Sequence, residues 1–122
     1  MISGINLSET KNYTSKYDSG EKKTVWKIGV LDSEAMTVVM EEETKVLKTT
    51  AMAVRFGLRG FENFFDAQGN PVEFVTEQKI LGGRAVHVIS DKIMKIIPSP
   101  VVLELGTEIL KMAQLSEAEI KN

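Results

Sequence analysis

The chain has 122 residues, 43% hydrophobic and 26% charged, which suits one domain around a single core and leaves too little for two. Its 15 basic and 17 acidic residues give a formal net charge of −2, without the basic excess of a nucleic-acid binder. It has no cysteine, which excludes disulfides, thiolate nucleophiles and cysteine-held metals.

The opening MISGINLSETKNY lacks a basic stretch followed by an apolar run, and no segment reaches the ~18 apolar residues of a membrane span. An intracellular protein, with no membrane partner, is the expectation. Residues 1–12 are polar apart from Ile2, Ile5 and Leu7, and read as a loose edge strand or a flexible arm. Two strands are expected over 13–17 and 24–31. They form an N-terminal hairpin through the turn residues Asp18-Ser19-Gly20, since Thr24, Val25, Trp26 and Ile28 are strand formers.

Leu31-Asp32-Ser33-Glu34 starts a helix. Asp32 or Ser33 caps the free amides, and Glu34 meets the positive end of the helix dipole. That helix carries Ala35, Met36, Val39 and Met40 and ends in the acidic run Glu41-Glu42-Glu43, whose three carboxylates point in three directions and suit a solvated face better than a metal. A second helix is expected from Thr44 to Arg59, with Leu47, Ala51, Val54 and Leu58 as one apolar stripe. Gly57 and Gly60 break it, Gly60 as the terminal cap.

The aromatic segment Phe61-Glu62-Asn63-Phe64-Phe65 follows, then a turn over Asp66 to Pro71 in which Gly69 or Asn70 takes positive φ. Val72, Phe74 and Thr76 alternate along a strand, and Gly82-Gly83 closes a second, central hairpin within 72–89. On its return strand Val86 and Val88 face one way and His87 the other. Ser90-Asp91 caps a short helix that stops at Pro98, and Ser99-Pro100 opens a long one with Val102, Leu105, Ile109 and Met112 buried. Leu115-Ser116 interrupts it, with Ser116 and Glu119 as a capping box for a last turn, so 115–122 forms a C-terminal tail. The expected fold is a single α+β domain with an N-terminal hairpin, a central β-hairpin and four to five helices. Its expected core is Trp26, Ile28, Val39, Leu47, Val54, Leu58, Phe64, Phe74, Val86, Val88, Ile97, Leu105 and Ile109.

No pattern in the chain amounts to a catalytic, metal or cofactor site. His87 is the only histidine, and no serine or carboxylate stands at a recognisable spacing from it. Arg59 and Arg84 each sit beside glycine, which can cradle an anion, although solvated turns are the plainer reading. Among Phe61, Phe64 and Phe65, core packing suits at least two, and an exposed one fits a protein interface. The methionines fill gaps on helices and also suit an adaptable binding surface. The candidate partner-binding residues are therefore Phe61, Phe65, Arg59, Met36, Met40 and Met112.

Five stretches carry a family resemblance: TVWKIGVLDS at 24–33, VRFGLRGFENF at 54–64, DAQGNPVEF at 66–74, SDKIMKIIP at 90–98 and the closing LSEAEIKN. Together they resemble small tailed-bacteriophage proteins of virion morphogenesis, and the order of elements is similar to phage tail assembly chaperones. The resemblance covers most of the chain, with residues 34–53 contributing little. It implies a non-enzymatic factor in the bacterial host cytoplasm, without a cofactor, that holds the tape measure protein and recruits tail-tube subunits. The hairpin through Ile80–Arg84 departs from the more helical chaperones and leaves open a structural virion component, such as a head–tail joining or minor capsid or tail subunit. That alternative implies self-association into a homo-oligomer and residence in the virion.

Overall fold

A computed structural model describes residues 1–2, 4–41, 45–81 and 83–121, with side chains of the last helix described as far as Ala113. Strands β1 (Thr10–Tyr13), β2 (Val25–Gly29) and β3 (Leu58–Glu62) form one antiparallel sheet with β2 in the middle. Helices α1 (Ser33–Met40) and α2 (Val46–Gly57) connect β2 to β3. Strands β4 (Thr76–Leu81) and β5 (Arg84–Ile89) pair as a separate hairpin, and helices α3 (Asp91–Ile96) and α4 (Ser99–Lys121) follow. The fold is α+β in one small domain. Among the described residues no helix is long and apolar enough to cross a membrane.

Local chemistry sets most of these boundaries. Asp32 Oδ1 accepts the Ala35 amide at 2.7 Å and starts α1. Ser90 Oγ accepts the Ile93 amide at 3.3 Å and starts α3, and Pro98 separates α3 from α4. Gly83, at φ +78°, makes the tight β4–β5 turn. The core lies between the three-stranded sheet and the helices. Trp26 and Ile28 of β2 meet Ala35 and Val39 of α1, Ala53 and Val54 of α2, Ile93 and Ile97 around α3, and Leu105 and Ile109 of α4. Each large apolar side chain buried this way contributes roughly 1.5–3 kcal/mol.

Several expectations are corrected. β1 lies three residues earlier than expected, so Thr10–Asn12 of the supposed arm are strand. The turn after it is long because Asp18 organises it: its carboxylate accepts the amides of Gly20 at 3.2 Å and Thr24 at 2.9 Å. Leu47 is 69% exposed rather than core. The buried face of α2 is rotated onto Thr49, Thr50, Ala53, Val54 and Gly57, because α4 approaches that face too closely for larger side chains. The helix ends at Gly57, and Leu58 and Gly60 are β3 residues, Gly60 opposite Lys27. Val72 and Phe74 pack against the core outside any strand, which begins only at Thr76. Phe64, Phe74 and Val86 are half-buried rather than fully buried. α4 continues unbroken through Leu115-Ser116, since a serine costs a helix interior only about half a kcal/mol. Glu42, Glu43, Thr44 and Gly82, and the side chains of the proposed Ser116–Glu119 capping box, lie outside the described residues.

Candidate functional site

Two aspartate-built turns frame the main groove. Asn63, at φ 60°, turns the chain out of β3, and the Thr24 hydroxyl donates to its carbonyl at 2.7 Å. Beyond it, Asp66 Oδ1 accepts the amides of Gln68 at 3.0 Å and Asn70 at 2.9 Å, and Gly69 takes φ +84°. The Val72 amide donates to the Phe64 carbonyl at 2.9 Å, and Phe65 bridges Pro71. This closed loop holds Phe65 outward, 49% exposed. On the other side, the Asp18 turn holds Tyr17, 58% exposed, with the Lys16 ammonium 5.2 Å from its ring centre.

Between them lies a groove of about 580 Å³. Trp26 and Phe64 form its aromatic floor, and Pro98, Pro100 and Val101 of the α3–α4 junction form the far wall. Asp18, Lys22 and Asn63 supply a polar rim. The floor is fixed from behind by ring contacts. Trp26 and Phe64 lie 4.9 Å apart, Phe61 meets Phe64 edge-on at 5.2 Å, and Phe74 closes the cluster against Phe61 at 5.4 Å.

The connection carrying Ser15 and Tyr17 is tied to α4 through Glu104, whose Oε2 accepts the Lys16 amide at 3.0 Å. Its other oxygen, Oε1, is sealed from solvent and closes no hydrogen bond. Burial raises the Glu104 carboxyl, but the Ser15 hydroxyl, the Lys16 amide and the Tyr13 hydroxyl outweigh it and hold the group below its ordinary value. Burial, and then the same carboxylate, push the Tyr13 phenol up to about 12.

The six sequence candidates do not share one surface. Phe65 stands at the groove, whereas Phe61 is half-buried in the aromatic cluster behind it. Met36 and Met112 pack against the core, and Met40 is exposed at the end of α1. Arg59 lies across Gly29 and donates from Nη2 to the Val30 carbonyl at 3.0 Å. With Arg84 and His87 it lines a second cleft of about 220 Å³ between α1, α2 and the β4–β5 hairpin. Glu34 accepts from Arg84 there at 2.6 Å, and Asp32 lines the same cleft, so its carboxylates match its guanidiniums and an anion cradle is not favoured.

Sequence reading missed Tyr17, Trp26, Pro98 and Pro100 as groove residues. The signals in the sequence that point to them are the Pro98-Ser99-Pro100 junction and a tyrosine beside a turn. Compared with known protein families, curated proteins and solved structures, the chain matches none.

Proposed function

We propose that this protein is a non-enzymatic docking factor of phage morphogenesis, acting as a tail assembly chaperone whose groove takes an extended apolar segment of the tape measure or tail-tube protein. The carrying observation is that Tyr17 and Phe65, two exposed aromatics held by hydrogen-bonded turns, line one groove together with Trp26 and Phe64. Exposed rings of this size are costly in water, and rings held in place lose little entropy on binding. Aromatic and proline walls with a polar rim suit an extended chain, whose side chains dock alternately while its backbone remains hydrogen-bonded at the edges. The phage setting rests on the resemblance of TVWKIGVLDS, VRFGLRGFENF and DAQGNPVEF, which carry Trp26, Phe64 and the turn that follows Phe65. The site of action on this reading is the host cytoplasm, before the particle is complete.

The test is mass spectrometry of purified phage particles against crude lysate, followed by pull-down with the tape measure and tail-tube proteins. Presence in lysate, absence from particles and Phe65-dependent capture of either partner are expected. Stoichiometric presence in particles would make the protein a virion subunit and overturn the chaperone reading.

A further inference from the structure

We propose that β4 is a self-association edge, and that two copies of this chain join through it by antiparallel pairing about Gln78. The hydrogen-bond parity of the hairpin leaves this edge open. Ser90 donates to the Val75 carbonyl at 3.0 Å, continuing a regular register in which Glu77 opposes Val88, Lys79 opposes Val86 and Leu81 opposes Arg84. Those alternate residues bond inward to β5, so the amides and carbonyls of Thr76, Gln78 and Ile80 point away from it. All three residues are exposed, and the hairpin forms a two-stranded sheet with no third strand among the described residues. The β5 side, by contrast, packs against α2.

Edge strands are ordinarily blunted by a bulge, a proline or an outward lysine. β4 has an unbroken register and no proline, and its lysine is held by Asp91 and Glu77. Its sequence, TEQKIL, is self-complementary when reversed about Gln78. Gln78 then faces its own copy, and Thr76 faces Ile80, in pairs whose outward groups exchange about six hydrogen bonds. Glu77 faces Lys79 of the second copy in the non-bonded pairs, where side chains approach most closely and opposite charges are favourable. Ile80, 76% exposed in one copy, gains a β-branched neighbour. A slip by two residues would remove the Glu77–Lys79 match, so the charges also set the register. The short interface predicts a weak dimer that comes apart on dilution.

The test uses the full chain and exploits its lack of cysteine. Sedimentation velocity over a concentration series is expected to show a twofold rise in mass. Gln78→Pro removes an amide that β5 does not use, and is expected to leave the circular dichroism unchanged and the protein monomeric. Under mild oxidation Gln78→Cys is expected to give a disulfide-linked dimer, because the two Cα atoms would lie about 5.5 Å apart. Thr76→Cys is expected to give none, because it faces Ile80 instead. A wild-type monomer across the series, a dimer that survives Gln78→Pro, or equal cross-linking of the two cysteine variants would each overturn the proposal. If Gln78→Pro fails to fold, the cysteine comparison decides alone. A monomer that pairs only with a strand from another protein would likewise count against it.

Discussion

Gly106 of α4 lies directly against Thr50 of α2: a Cβ built on Gly106 would stand 2.5 Å from the Thr50 carbonyl oxygen and 2.7 Å from its Cα. Two turns further along α2, Gly57 receives Ile109 of α4, which would be 2.6 Å from an added Cβ. Each helix therefore offers the other a notch, and the two backbones meet where side chains would hold them apart. Gly106→Ala gains about 1 kcal/mol of helix propensity. It must also separate two backbones, at a cost of several kcal/mol, since the clash is with main chain and not with a movable side chain. A net loss of about 2 kcal/mol, read as a fall of several degrees in Tm, is the expected outcome. An unchanged or raised Tm would mean that the helices are not in this contact.

Phe65→Asp and Phe61→Asp are expected to diverge, although the residues are four apart. Phe65 is half in water and its ring contributes to the groove, so its change should cost below ~1 kcal/mol of stability and abolish partner capture. Phe61 sits edge-on between Trp26, Phe64 and Phe74, where a carboxylate would be stranded among rings. A loss of roughly 3 kcal/mol or more is expected there. Chemical denaturation of both, with capture measured for the folded one, checks the pair. Retained capture by Phe65→Asp would remove the groove from the proposed function.

The contrast shows what the sequence could and could not convey. Capping and turn residues act locally, so Asp32, Ser90, Pro98, Asp66 and Gly83 announced their elements well. The buried face of α2 depends on what lies against it. Thr50 is buried because α4 carries Gly106 against it, and no periodicity within α2 alone reveals that. β3 was hidden for a related reason, because Leu58 continues the helical stripe in sequence but pairs with Ile28 in space. Phe65 is marked in sequence by its place in the cluster Phe61, Phe64 and Phe65. Tyr17, which lines the same groove, lies 48 positions away and is brought to it by the long Asp18 turn.

Asp66→Ala is expected to loosen the loop that presents Phe65 without disturbing the domain. It deletes two side-chain bonds to the Gln68 and Asn70 amides, each worth about 1 kcal/mol in a partly exposed setting. Amide hydrogen exchange should quicken at Asn70 and Val72, while Ile28, Val54 and Leu105 keep wild-type protection. Partner capture should weaken through lost preorganisation. Exchange that quickens equally in the core would show that this turn supports the whole fold instead of the loop.

Asp91 joins three elements, and because its side chain is 44% exposed its ion pairs should contribute a solvent-screened share of the acid stability. Its carboxylate accepts from Lys79 of β4 and from Arg55 of α2, 2.7 Å away, at the start of α3. The Lys79 hydrogen bond first, and the Arg55 bond next, hold its carboxyl at about 2, against an ordinary value of 3.8. A depressed folded value means that the unfolded chain takes up the proton first. The stabilisation is thus complete above about pH 4 and disappears as pH falls towards 2. Glu104, lowered in the fold, acts with the same sign. Tyr13 has the opposite one: its raised phenol stabilises the fold below pH 10 and loses that effect as pH climbs through about 12. Wild-type Tm should therefore fall between pH 4 and 2, and Asp91→Asn should start lower and fall less steeply over that interval. Tyr13→Phe should flatten the alkaline limb and, by removing one of the hydroxyls that hold Glu104 down, also soften the acid limb slightly. Parallel acid limbs in wild type and Asp91→Asn would show that the Lys79–Asp91–Arg55 junction does not hold the hairpin, α2 and α3 together in solution.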